Sequence, residues 1–294
     1  MKSFIDWIVG SVFRVGFLAA AFTLMPMIGF IGSGVLVLAS LKRGPVFGLT
    51  SGGIATAALL LMGLALGQGV EVAVGAVLLF WAPALGLAEL LRRTGQLGPS
   101  LTIATVAAMG IVLLWFGLAG NSESNFTMAL AEELRPLLQQ GLVDSANEDQ
   151  VLELLVAILP GLLAGSLMLI AVLGLLTGMW WHASINSPGA LGDAFRSLRL
   201  GGLLGIVALS IILAMAANGG VVFKNLLMVL VVAYLIQGIA VLHGIAHWRK
   251  WPSGALVAVY VLMVVGLGFM APALAMVGLT DTWADFRGRA RGAA

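Results

Sequence analysis

Residues 69–93 read GVEVAVGAVLLFWAPALGLAELLRR. Between Glu71 and Glu89 this stretch carries no charge, and it closes on the paired cations Arg92-Arg93. A membrane-crossing helix needs about 20 apolar residues, so the stretch has the length of one span. The arginines mark the end at which it leaves the lipid. The arrangement repeats outward along the chain. Lys42-Arg43, Arg196 with Arg199, and Arg249-Lys250 each follow one apolar run and precede another. The intervening connections are the Gly67-Gln68-Gly69 turn, the segment 120–151 and the Asn218-Gly219-Gly220 turn. Their only cations are Arg135 and the adjoining Lys224. This alternation predicts that the basic loops share one side, the cytoplasmic side of a bacterial inner (plasma) membrane.

Composition agrees. Of 294 residues 61% are hydrophobic and 10% charged, with mean hydropathy +1.08. Soluble domains run near 25% charged, which excludes a soluble fold. The net charge is +2 and the cations are scattered, so no patch exists to neutralise several phosphates of a nucleic acid. There is no cysteine, hence no disulfide, thiolate metal site or thiol catalysis. Lys2 and Arg14 precede an apolar stretch without a small-x-small cleavage site, which predicts an uncleaved first helix.

Apolar runs fall at 5–25, 27–41, 46–66, 69–91, 99–119, 152–181, 200–217, 222–247 and 253–278. They predict an all-α, polytopic membrane helical bundle of eight or nine transmembrane helices, a single domain over 1–294. Residues 1–41 form either one long helix or a hairpin turning at Met25-Pro26. The hairpin is preferred because it keeps Lys2 and Arg14 with the other cations. A single crossing at 253–278 would strand Arg287, Arg289 and Arg291 on the opposite side; either Pro272 breaks that helix or the tail is a tolerated exception to the rule.

Two segments are amphipathic. Phe126, Leu130, Leu134, Leu137, Leu138 and Leu142 recur at helical spacing and predict an external helix within 120–151. Asn147 and Gln150 resemble a capping box opening the next span. Asn186-Ser187-Pro188-Gly189 reads as a turn. After it Leu191, Phe195 and Leu198 make one face of a short interfacial helix, with Asp193, Arg196 and Arg199 on the other. The tail 279–294 reads as a polar terminal helix capped by Thr280 or Asp281. Small residues four apart, among them Gly161/Gly165 and Gly174/Gly178, predict close helix crossings.

No Walker loop, H-E-x-x-H or G-x-S-x-G motif occurs. Ionisable and polar groups at membrane depth are then the places to look for function. Glu89 pairs with Arg92 or Arg93 at helical spacing. Gln237, with Tyr234 one turn earlier, is the deepest polar group, suited to an interhelical hydrogen bond or a polar cavity. Tyr234, Gln237 and Glu71 are the candidate substrate contacts. Leu191, Phe195, Arg196, Arg199 and Arg249 are the candidate partner-docking residues. His243 and His247 share a face, but no carboxylate or cysteine lies nearby in sequence to complete a metal site. No catalytic residue, metal or cofactor is assigned.

Several stretches together resemble the YybS-like family of uncharacterised bacterial inner-membrane proteins. They are Leu41-Lys42-Arg43-Gly44, Asn186-Ser187-Pro188-Gly189 with Phe195-Arg196 and Leu198-Arg199, Gln237-Gly238 leading to His243-Gly244, and Gly278 through Arg287. That family is distantly similar to the substrate-binding membrane subunits of energy-coupling-factor transporters. The resemblance implies a small-solute transport or substrate-binding membrane component with a cytoplasmic or membrane protein partner. The alternatives are a non-transporting scaffold or assembly factor, and an intramembrane enzyme on lipid-linked substrates.

Overall fold

The computed structural model describes residues 2–25, 28–67, 69–119, 132–133, 135–136, 148–217 and 219–292. Most of the external amphipathic segment, and Asn147 of the capping box, lie outside the described residues. Among the described residues every regular element is helical. They are α1 (Lys2–Ile8), α2 (Val12–Thr23), α3 (Phe30–Arg43), α4 (Pro45–Ala65), α5 (Glu71–Thr94), α6 (Leu97–Ala119) and α7 (Glu148–Asn186). There follow α8 (Ala190–Arg196), α9 (Gly202–Ala216), α10 (Val221–Trp248), α11 (Ser253–Val265), α12 (Leu267–Ala284) and α13 (Phe286–Gly292).

In lipid every backbone polar group must find a partner inside the protein, which makes helix the default. Pro83 and Pro160 each remove a donor from the backbone ladder inside a long helix. Pro83 lacks an N–H, and its ring presses on the carbonyl one turn earlier. Just before it α5 takes a π-helical turn, Ala76–Trp81, and the Phe80 carbonyl accepts a hydrogen bond from the Ser33 hydroxyl of α3 at 3.1 Å. Pro160 lies inside α7. Beside it the Asn225 carboxamide of α10 enters the ladder. Gly161 N–H donates to its Oδ1 at 2.6 Å, and its Nδ2 donates to the Ala157 carbonyl at 2.8 Å. One side chain thus bridges the two groups that an unbroken helix would pair directly.

Glycines set the crossings. Side chains at Gly174 and Gly178 of α7 would collide with Ser33 and Val37 of α3. One at Gly161 would collide with the Asn225 backbone, and Gly238 and Gly278 let α10 and α12 touch backbone to backbone. Two of the small-residue pairs read from the sequence are therefore crossing points.

The basic loops converge on one end of the bundle. Lys42 pairs with Asp6, and Arg43 Nε donates to the Val9 carbonyl at 3.2 Å. At the other end of α2, Gly32 meets Ala19 and Thr23. α2 and α3 thus run antiparallel, with the start of α2 and the end of α3 both near Lys42-Arg43; Pro26 of the expected turn lies outside the described residues. α3 and α7 run in the same direction, with Gly34 against Thr177 and Val37 against Gly178. Thr102 Oγ1 of α6 donates to the Leu200 carbonyl at 3.0 Å, and Ser100 Oγ to the Leu87 carbonyl of α5 at 3.3 Å.

Two expectations change in detail. Among the described residues five helices are long and apolar enough to cross a membrane: Pro45–Ala65, Glu71–Thr94, Leu97–Leu118, Asp149–Asn186 and Val221–Trp248. The count is six if Lys2–Ile8 and Val12–Thr23, bent by 99°, form one broken span. α3 and α9 have 14 and 15 residues, about 21–23 Å of helix against a hydrocarbon core of about 30 Å. α7 has 39 residues, about 58 Å, and outruns it. The run 253–278 is not one crossing either. It breaks at Gly266, not at Pro272, which lies within α12. α12 then runs parallel to α10: Gly278 meets Tyr234 and Gly238, and beyond it Arg287 meets Gly244. The chain after α12 thereby rejoins the other basic loops, and the conflict over the arginine tail disappears.

Candidate functional site

Between α8 and α9 the chain runs without helix through Ser197–Gly201, with Leu198 and Leu200 each 3% exposed. Buried backbone of this kind needs side-chain partners. Gln237 Oε1 accepts the Leu200 N–H at 2.8 Å, and Gln237 Nε2 donates to the Gly278 carbonyl at 2.6 Å. Arg287 donates through one terminal nitrogen to the carbonyls of Arg196 and Leu198 at 2.8 and 2.7 Å. Its Nε and other terminal nitrogen meet Asp281 Oδ2 at 3.1 and 2.7 Å. Asp281 is 0% and Arg287 2% exposed. Burial lowers the Arg287 pKa from its usual value, and Asp281 opposes the fall. Among the described residues Asp281 Oδ1 has no hydrogen-bond partner.

Asp285, at the left-handed break between α12 and α13 (φ 47°, ψ 52°), pairs with Arg199 at the surface. Arg199, and then the Gly288 N–H, hold its carboxyl below the usual range. α12 runs unbroken through Thr280 and Asp281, so neither caps a terminal helix. Thr280 Oγ1 bonds back to the Met276 carbonyl at 2.7 Å, and the end falls at Asp285. Asp281 was available as a cap by residue type only, and Arg287 takes it instead.

The three candidate substrate contacts do not form one site. Both polar atoms of Gln237 are engaged by backbone. Tyr234 borders an apolar cavity of about 250 Å³ with Pro272 and Leu279. Glu71 stands exposed in the first turn of α5, and no hydrogen bond among the described residues ties it to either. None of the candidate docking residues is buried, and three of them hold neighbours within the protein. Phe195 lies edge-on to His243, with ring centroids 5.7 Å apart. Arg196 bonds Asp193 at 2.5 Å and Arg199 holds Asp285, while Leu191 is half-buried and Arg249 exposed. Glu89 meets Arg92 at 2.8 Å and Arg93 at 2.7 Å, as its spacing indicates.

His243 and His247 do not cooperate. His243 Nδ1 faces the Ile239 carbonyl at 2.9 Å and its Nε2 faces the Tyr260 hydroxyl at 3.2 Å. These partners assign the proton to Nδ1, whereas His247 is exposed. Among the described residues no cluster of three His, Cys, Asp or Glu exists. Sequence reasoning passed over Asn225, although an asparagine in an apolar run facing a mid-span proline is the available signal.

The largest cavity among those described, about 460 Å³, lies between α5, α6 and α7. Every lining residue is apolar, and many are small, including Gly86, Ala107 and Ala164. It borders the π-helical turn at Leu78 and Leu79. Leu78 is 61% and Ile103 52% exposed, so it opens sideways onto an apolar surface.

Described residues whose regular elements are all helical, with five or six helices able to cross a bilayer and apolar cavities between them, define a multi-pass membrane protein. The chain belongs to the family described as predicted membrane protein DUF2232, whose profile matches residues 15–282. No curated protein and no solved structure matches the chain.

Proposed function

We propose that this protein is a substrate-binding or transport component of the bacterial inner membrane, whose ligand is apolar or amphiphilic and enters sideways from the bilayer. The observation that carries this reading is the cavity of about 460 Å³ between α5, α6 and α7, within the size range of small-molecule sites. Its lining suits hydrocarbon. The resemblance to substrate-binding subunits of energy-coupling-factor transporters accords with it, as does the absence of any ATP-binding motif, which leaves energy to a partner chain. The basic end, carrying α8 and Arg249, would face the cytoplasm and that partner. Eight or nine crossings would require α3, α9 and the α11–α12 hairpin to count as spans.

Gly86 supplies the test. It lines the cavity, and a Cβ there meets nothing within 4 Å. Gly86→Phe is expected to remove an apolar molecule that co-purifies with the wild type, read by mass spectrometry of an organic extract, while leaving the melting temperature of the protein itself unchanged. Wild-type protein that carries no such molecule, with no uptake defect on deletion, rejects the reading. The scaffold alternative then stands, favoured by the engagement of Gln237 in packing.

A further inference from the structure

A second binding feature lies at the amino-terminal corner, away from the cavity between α5, α6 and α7. α1 is bent 99° from α2 and buries Ile5 and Ile8 on the bundle while Phe4 and Trp7 stay 62% and 54% exposed. Beneath it is an apolar pocket of about 270 Å³. Its walls are Phe4, Ile5 and Ile8 of α1, Leu18 and Phe22 of α2, Val35 and Leu38 of α3, and Trp181 of α7.

The surrounding charge is one-sided. Lys42 pairs with Asp6, and Lys2 is near enough to act on the same carboxylate. Arg14 donates to the Trp7 carbonyl and lies over the Trp7 ring, 4.7 Å from its centroid. Arg43 bonds the Val9 carbonyl and lies 5.6 Å from the centroid of Phe47. Four cations thus line this corner, and two of them, Lys42 and Lys2, act on the Asp6 carboxylate. Arg14 and Arg43 spend hydrogen bonds on neutral carbonyls and rings, so their charge remains uncompensated by any carboxylate among the described residues. Exposed Trp7 is of the residue type that favours the boundary between headgroups and hydrocarbon, and exposed Phe4, Phe13 and Phe17 suit the apolar face of helices that lie there. A greasy slot under a cationic rim at that depth matches an amphiphile with an anionic head.

We propose that this corner is a binding site for one anionic glycerophospholipid, with part of an acyl chain in the pocket beneath α1 and its phosphate among Lys2, Arg14, Lys42 and Arg43. The site does not depend on the reading of the cavity between α5, α6 and α7. Basic residues at a membrane surface each strengthen attraction to anionic lipid about five-fold, so the rim selects by charge while the pocket supplies a fixed position for the chain.

The test uses the full-length protein in vesicles of phosphatidylcholine with and without phosphatidylglycerol, reading bound lipid by native mass spectrometry and the melting temperature. Phosphatidylglycerol is expected to be retained and to raise the melting temperature above that in phosphatidylcholine alone. The double variant Lys2→Gln with Arg14→Gln leaves the Lys42–Asp6 pair intact. It is expected to lower retention about 25-fold, about five-fold for each charge. Leu18→Trp, which fills the pocket, is expected to lower retention with the rim intact. Gly86→Phe serves as the control that separates the two sites, since it should leave phosphatidylglycerol retention unchanged. Equal retention of the two lipids, or retention indifferent to both the rim and the pocket variants in folded protein, overturns the proposal.

Discussion

At the scale of single residues, the Asp281–Arg287 pair is the most consequential feature. A charge taken out of water is costly unless it is paired and its remaining hydrogen-bonding groups are used. Arg287 meets that condition with one carboxylate oxygen and two carbonyls. Arg287→Ala leaves Asp281 buried and unpaired, and is expected to cost about 3–5 kcal/mol, read as loss of monodisperse protein on heating in detergent. Arg287→Lys is expected not to rescue it, because an ammonium cannot reproduce the planar fork that reaches both partners. The exposed Arg199–Asp285 pair works on another scale. It is solvated and screened, and such pairs contribute little. The lowered Asp285 pKa means that its contribution is present above the unfolded value of about 3.9 and fades only as pH falls through the lower folded value.

At the scale of elements, helices in this chain are defined as much by their neighbours as by themselves. α7 passes its mid-span proline because Asn225 bridges Gly161 and Ala157. Asn225→Leu keeps the volume but leaves a donor and an acceptor buried without partners, each worth about 1–3 kcal/mol. That variant is expected to lower the melting temperature. In a Pro160→Ala background the α7 ladder is free to close on itself, so the loss should shrink; equal losses in the two backgrounds would refute the bridging role. The glycine spacing and the Glu89 ion pair were legible in the sequence, because both depend on the 3.6-residue period alone. The role of Asn225 was not, because it answers a defect in α7 with a group from another helix.

At the scale of the whole molecule, the bundle brings all its basic corners to one end, the arginine tail included. The chain contains no cysteine, so the wild type is already the background for single-cysteine labelling. In intact cells, cysteines at Arg93, Lys250 and Arg289 are expected to resist an impermeant maleimide, and cysteines at Gly67 and Ala217 to react. Reactivity at position 289 with protection at 250 would refute the α11–α12 hairpin. Composition and the rhythm of cations determined that this chain belongs in a membrane and which loops stand together, since partitioning into lipid is a sum over local residues. Whether an apolar run is one helix or two, and which buried carboxylate meets which guanidinium, was decided only in the folded bundle. Hydropathy carries no record of the direction the chain takes after Gly266, and a polar group in lipid is defined by whichever partner the neighbouring helices bring within reach.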